Sequence, residues 1–144
     1  KPQDPQLVIS IKNDNLLCES LAIKLHCQCR SVSSIGLNDK LAVTESDLED
    51  ALLNHLQDFF LELGKGFCLE ARQKRLLIDD EYYYPDLVFY NRYLRCNVIV
   101  DLKVHEFRYE DFGQLNAYVG YYKMNEMADG DNPPCGILLC TKKG

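Results

Sequence analysis

No apolar run in these 144 residues approaches the roughly 20 needed to span a bilayer, so a membrane-embedded helix is not expected. A basic stretch followed by an apolar one is missing too, which leaves nothing that reads as a secretory signal. No internal repeat or low-complexity tract is visible. Positive charge is in short supply: 16 Lys and Arg stand against 22 Asp and Glu, a formal net charge of −6. That balance argues against nucleic-acid binding by bulk attraction and leaves only local basic clusters or a bound divalent cation to do it. Seven cysteines, an odd number, do not make a disulfide framework. Several, including Cys18, Cys68, Cys96, Cys135 and Cys140, lie in or beside apolar segments, where free cysteine behaves as a small hydrophobe. A reducing compartment, the cytoplasm, is the expected location. The chain opens on Lys1 and stops at Gly144 directly after a strand-like run, so it reads as a piece of something longer.

About half the residues are apolar and about a quarter charged, the composition of an ordinary globular domain large enough to fold without staples. Residues 1–43 are hard to assign: Leu7 to Ile11 suits a strand, Leu16 to Leu25 a helix or second strand, and Ser31 to Gly36 a loop. From Thr44 the pattern sharpens. Ser46-Asp47-Leu48-Glu49 has capping-box spacing, and Leu52, Leu53, Leu56, Phe59, Phe60 and Leu63 recur at helical steps behind it. Gly64-Lys65-Gly66 ends that helix. Phe67, Leu69 and Ala71 alternate with Cys68, Glu70 and Arg72 as in a strand. Asp79-Asp80 reads as a turn into a Tyr82–Tyr90 strand, and Asn91-Arg92 as a turn into a strand ending at Lys103. Tyr109 to Met124 forms a second helix with Phe112, Leu115, Val119 and Tyr122 on one face, and Cys135 to Cys140 is a short central strand. The resulting order is helix, three strands, helix, strand: an α/β (α+β) fold with a mixed central sheet flanked by helices over residues 44–144.

Two of the strands carry charge where a buried strand should have none. Asp86 follows Pro85 at the head of one, and Asp101 and Lys103 share a face of the other, since strand side chains alternate. Desolvating such groups is costly unless they are paired or bind a metal. Phosphodiester hydrolysis needs charge stabilisation, an activated water and a group to hold it in line. Mg²⁺ accepts hard oxygen ligands, commonly one or two carboxylates. Asp86 and Asp101 could supply them, Lys103 could orient the water, and Glu49 on the apolar stripe could add a third carboxylate. Plainer readings exist for each. Glu49 could simply close the capping box, Asp86 could pair with Arg92 or Arg95, and Asp101 with Lys103 could be a local ion pair. Three charged intrusions into apolar elements, in this order, are harder to explain as separate accidents.

Pro85-Asp86, Asp101-Leu102-Lys103 and the helical Glu49 resemble the PD-(D/E)xK nuclease superfamily, with its restriction-endonuclease-like core of helix, three strands, helix, strand. Gln114 and Tyr118, one helical turn apart, resemble the Gln-x-x-x-Tyr motif of its RecB-like members and could reach one cleft. Phe60 to Phe67, Arg72-Gln73 with Arg75, Asp86 to Tyr90, Gly113 to Asn116 and Asp131-Asn132-Pro133 are similar to the bacterial YhcG-type family over about residues 46–143. The resemblance implies a Mg²⁺- or Mn²⁺-dependent deoxyribonuclease. Asp86, Asp101 and Glu49 would hold the metal, Lys103 would position water, and Gln114 and Tyr118 would order the site. DNA is the implied partner and a homodimer a possible assembly. Family members usually carry a helical N-terminal domain and further C-terminal residues, neither recognisable here. The alternative is a catalytically silent nuclease-like module that binds nucleic acid or protein.

Three further features are weighed against plainer readings. Arg72, Lys74 and Arg75 could meet phosphates or be a solvated strand end. Cys18, His26, Cys27 and Cys29 match no usual structural zinc spacing. The tyrosines at 82, 83, 84, 90 and 93 could stack on bases, although strand aromatics mostly pack.

Overall fold

The computed structural model describes residues 6–12, 45–63, 65–103, 105 and 108–142. Cys18, His26, Cys27 and Cys29 and the stretches 16–25 and 31–36 lie outside them. In chain order the described elements are β1 (Gln6–Lys12), α1 (Glu45–Leu63), β2 (Phe67–Arg72), β3 (Leu76–Ile78), β4 (Glu81–Tyr83), β5 (Leu87–Asn91), β6 (Cys96–Lys103), α2 (Tyr109–Asn125) and β7 (Cys135–Lys142).

Five of these strands form one mixed sheet in the order β1-β7-β6-β5-β2. The β2-β5-β6 part is an antiparallel meander, α2 carries the chain over to a β7 parallel to β6, and β1 closes the far edge antiparallel to β7. The expected helix, three strands, helix, strand core is present. The apolar Leu7–Ile11 run is the strand anticipated for it, and it extends the sheet.

The two helices cover opposite faces. Ile99 of β6 and Val88 of β5 pack with Tyr118, Val119 and Tyr122 of α2. Alternation turns Leu87 and Phe89 to the other side, where Phe60 of α1 stacks on Phe89 at 5.0 Å and meets Phe67 edge-on. Leu53, Leu56 and Phe60 are fully buried, as the helical stripe of α1 predicts. α1 opens at Glu45, so Ser46 lies within the first turn and not at the cap position the sequence spacing suggests. Of the cysteines placed in apolar surroundings, Cys96, Cys135 and Cys140 are buried, but Cys68 is exposed.

Two departures from the sequence expectation matter for the site. The Tyr82–Tyr90 strand is not continuous, because Pro85 lacks the N–H a ladder needs. Its first part instead returns on Leu76–Ile78 as a separate hairpin, whose two-residue turn holds Asp79 and Asp80 at φ 50° and 65°. The second departure is a bulge in β2. Leu69 pairs with Phe89 but Ala71 pairs with Val88, so Glu70 is an extra residue. Past it the alternation is inverted: Ala71 joins the α2 side, and Arg72 turns to α1.

Candidate active site

Leu87 pairs with Val100, so one step outward the antiparallel register sets Asp86 opposite Asp101. Both share a sheet face with Val88 and Ile99, the face under α2. The main-chain N–H of Leu102 donates to Asp86 Oδ2 at 2.8 Å. Gln73 N–H donates to the Asp86 carbonyl at 2.9 Å, tying the end of β2 to the same point. The Asp86 and Asp101 carboxyls are close enough for the ionisation of each to depend on the other.

Asp101 is only 1% exposed. Lys103 Nζ lies 3.3 Å from its Oδ2, yet that oxygen receives no well-directed hydrogen bond. A buried carboxylate oxygen with a cation beside it and no donor aimed at it is open to a further electropositive partner. Burial, then the neighbouring Asp101 charge, pushes the Asp86 carboxyl up to about 7. Burial also raises Asp101, against the opposing pull of Lys103. At Lys103 burial works to lower the ammonium, but the charges of Asp101, Asp86 and Asp111 outweigh it and the net shift is upward. Lys103 therefore stays charged at neutral pH.

Tyr118 of α2 is buried beside this pair. Burial, followed by the charges of Asp101 and Asp86, raises its hydroxyl well above the ordinary phenol range. Gln114, one turn earlier, is half-buried on the same helix. Neither Arg92 nor Arg95 neutralises Asp86: Arg92 donates to Tyr93 Oη at 3.1 Å, and Arg95 to the Gly130 carbonyl at 2.9 Å.

The side chain of Glu49 lies outside the described residues, but the course of α1 is clear. Arg72, level with Leu87 near the aspartate end of the sheet, donates to Asn54 and Gln57 at 2.6 and 3.2 Å. Phe60 meets Phe89 farther down. α1 therefore runs with its N-terminus toward the aspartates, and Glu49 stands roughly 7.5 Å of helix beyond Asn54. α1 covers the sheet face opposite the aspartates.

The basic cluster is not one surface. Arg72 is held against α1. Lys74 sits 5.4 Å from the Tyr122 ring and 3.7 Å from Glu126, and Arg75 lies 4.8 Å above Tyr82.

One residue was missed by the sequence reading. Asp111, in the first turn of α2, is buried, with its Oδ2 3.6 Å from His105 Nδ1 and no hydrogen-bond partner. Its charge reaches Lys103 and Cys140. Helical spacing from Leu115, Tyr118 and Tyr122 puts position 111 on the buried face and could have exposed it. The helix N-terminus favours a carboxylate there. Cys140 pairs with Lys103 in register, and burial first of all pushes its thiol up to about 11, so it stays a protonated packing group.

Among the described residues no group of three or more His, Cys, Asp or Glu is placed to hold an ion. The donor set that is described, two oxygen-bearing carboxyls with one unsatisfied buried oxygen, fits a hard divalent cation completed by water and phosphate. No helix among the described residues is long and apolar enough to cross a membrane.

A mixed sheet between two helices, with paired aspartates and a lysine at adjacent strand ends, defines the PDDEXK nuclease class. The chain belongs to the YhcG PDDEXK nuclease domain family, which matches residues 31–144. It is 52% identical over 101 residues to a curated Escherichia coli (strain K12) protein named "Putative nuclease YhcG", covering 70% of this chain and 27% of that protein. The chain thus spans about a quarter of the length of that relative. No solved structure matches it significantly.

Proposed function

We propose that this chain is the catalytic domain of a Mg²⁺- or Mn²⁺-dependent deoxyribonuclease. The observation that carries the reading is the Asp86–Asp101 pair, with its unsatisfied Asp101 oxygen, beside a charged Lys103. Asp86 and Asp101 would hold the cation, with Glu49 as the third carboxylate. When bound, the cation supplies charge stabilisation at the scissile phosphate and makes a neighbouring water more acidic. Lys103 Nζ, with its charge kept by three carboxylates, donates to the attacking water and offsets the negative charge that develops on the phosphate. Asp101, locked in strand β6, keeps that ammonium from swinging away. Tyr118, held protonated, can donate a hydrogen bond and not accept a second negative charge. Gln114, half-buried one turn away, would orient the substrate backbone.

Retention of all the charged groups speaks for an enzyme over a silent module, in which a lost ligand is expected. We take DNA as the substrate, with Arg72, Lys74 and Arg75 as backbone contacts, and the cytoplasm as the location, in keeping with the free cysteines. A separate helical N-terminal domain and a homodimer belong to the same proposal. The test is incubation of the full-length protein with supercoiled, linear and branched DNA under Mg²⁺, Mn²⁺ or EDTA, with Asp101→Asn in parallel. Metal-dependent cleavage lost in Asp101→Asn supports the assignment; cleavage undiminished in that variant overturns it.

A further inference from the structure

The β3–β4 hairpin has two unlike faces. Leu76, Ile78 and Tyr83 point inward and pack with Val88, Ile99, Tyr118 and Tyr122. Alternation turns Leu77 and its register partner Tyr82 outward, where they are 52% and 56% exposed. Arg75, two residues before Leu77, lays its guanidinium 4.8 Å over the Tyr82 ring. Tyr84, two residues beyond Tyr82, is 52% exposed. A solvent face on an antiparallel pair is ordinarily polar. This one carries two aromatic rings, a leucine and a stacked arginine.

Its location adds meaning to that composition. The hairpin is inserted between Gln73, whose N–H donates to the Asp86 carbonyl, and Asp86 itself. Tyr84 is two residues from Asp86, at most about 7 Å of chain. Its neighbour Tyr83 meets the Tyr118 ring edge-on at 6.0 Å, so hairpin and site are tied at that point. The outer face therefore ends, at Tyr84, within two residues of Asp86.

We propose that Arg75, Leu77, Tyr82 and Tyr84 form a stacking platform for unpaired nucleobases, so that the site works next to single-stranded stretches. This rests on the nuclease reading above and deepens it. A duplex offers its edges and phosphates while its base faces are covered by neighbours, so exposed rings gain most from bases out of the stack. Stacking also needs little net positive charge, which suits a chain of net charge −6. A folded protein partner fits less well. A stable interface takes some 20–30 residues a side, whereas four side chains match the footprint of a few bases.

The test is fluorescence anisotropy of the full-length protein in EDTA, with labelled oligothymidine and a blunt duplex of equal length as probes. Wild type is expected to prefer oligothymidine. Tyr82→Ala and Tyr84→Ala should each weaken that binding by roughly five- to hundredfold. Duplex binding should stay within about twofold, being phosphate-driven. Tyr82→Phe, which keeps the ring, should bind as wild type does. Unchanged oligothymidine affinity in Tyr82→Ala, an equal loss on duplex, or no wild-type affinity for oligothymidine would overturn the proposal, the last leaving the face to a protein partner. Because no cleavage is measured, the two readings separate. Tyr82-dependent binding without nuclease activity sinks the enzyme reading alone, and metal-dependent cleavage with Tyr82-independent binding sinks this one alone.

Discussion

The main-chain N–H of Leu102 donates to Asp86 Oδ2 across 2.8 Å. That bond comes from the strand carrying Asp101 and Lys103, so the backbone of one aspartate's strand aims the carboxyl of the other. The groups proposed to share an ion are thereby set by main chain and not by flexible side-chain contacts, which limits the reorganisation needed to use them.

Asp101→Asn keeps the shape of the site and removes one charge. Cleavage should fall by more than about a hundredfold, since even indirect partners of metal ligands cost up to that much. DNA affinity in EDTA should be unchanged or slightly raised, because a negative charge has gone. Lys103→Ala should lose cleavage similarly, with little effect on affinity. Initial rates and anisotropy on the same preparations would check both.

Stability of the metal-free protein should fall with rising pH. Asp86 moves from an ordinary 3.8 to about 7 on folding. A carboxyl raised in this way favours the fold while protonated, so its contribution is complete at acid pH and is lost as pH climbs from about 4 through about 7. Mg²⁺ or Mn²⁺, bound only by the folded state, should offset the loss at neutral pH. Thermal melts across that range with EDTA or millimolar Mn²⁺ test this, and Asp86→Asn should flatten the profile. A melting temperature indifferent to Mn²⁺ would count against a functional site.

Gly136→Ala should destabilise the fold. A Cβ there would stand 2.6 Å from Val119 Cγ2 and 3.0 Å from Leu115 Cγ, atoms of two buried branched side chains on α2, so α2 or the strand would have to shift. The cost should be roughly 1–3 kcal/mol, the range for overpacking, read by urea unfolding with an unchanged m value.

Arg72→Ala should cost less than about 1 kcal/mol of stability, because its bonds to Asn54 and Gln57 are exposed. Its value lies in substrate contact, if the basic cluster meets phosphates. Each of Arg72→Ala, Lys74→Ala and Arg75→Ala should then lower the slope of log affinity against log salt by about one. A titration of duplex binding against salt measures it.

The sequence made some of this legible and concealed the rest for identifiable reasons. Asp101 and Lys103 could be placed together because a strand's two-residue period survives in an unbroken apolar run, and the structure pairs them at 3.3 Å. Asp86 could be matched to Asp101 by motif, though only the register shows them opposite. Arg72 could not be placed, since a single extra residue at Glu70 inverts which side it faces and leaves no mark in composition. The β3–β4 hairpin was hidden because Tyr82, Tyr83 and Tyr84 run straight into Pro85, and an aromatic run of that kind suits one strand as well as two. Asp111 was overlooked because a charged residue near a helix start is usually a surface one.

The bulge at Glu70 has a bearing on which cations can approach the aspartates. Continuous alternation would have put Arg72 on the same side as Glu70 and directly opposite Asp86. A guanidinium there is charged at every accessible pH and binds carboxylates two-pronged, so it would compete with a dissociable ion for the same oxygens. One inserted residue sends it across the sheet to Asn54 and Gln57 instead. Strand β2 thus works as a sorter of charge: the bulge leaves Glu70 on the aspartate side of the sheet, bonded to Asn97, and sends the guanidinium to the other.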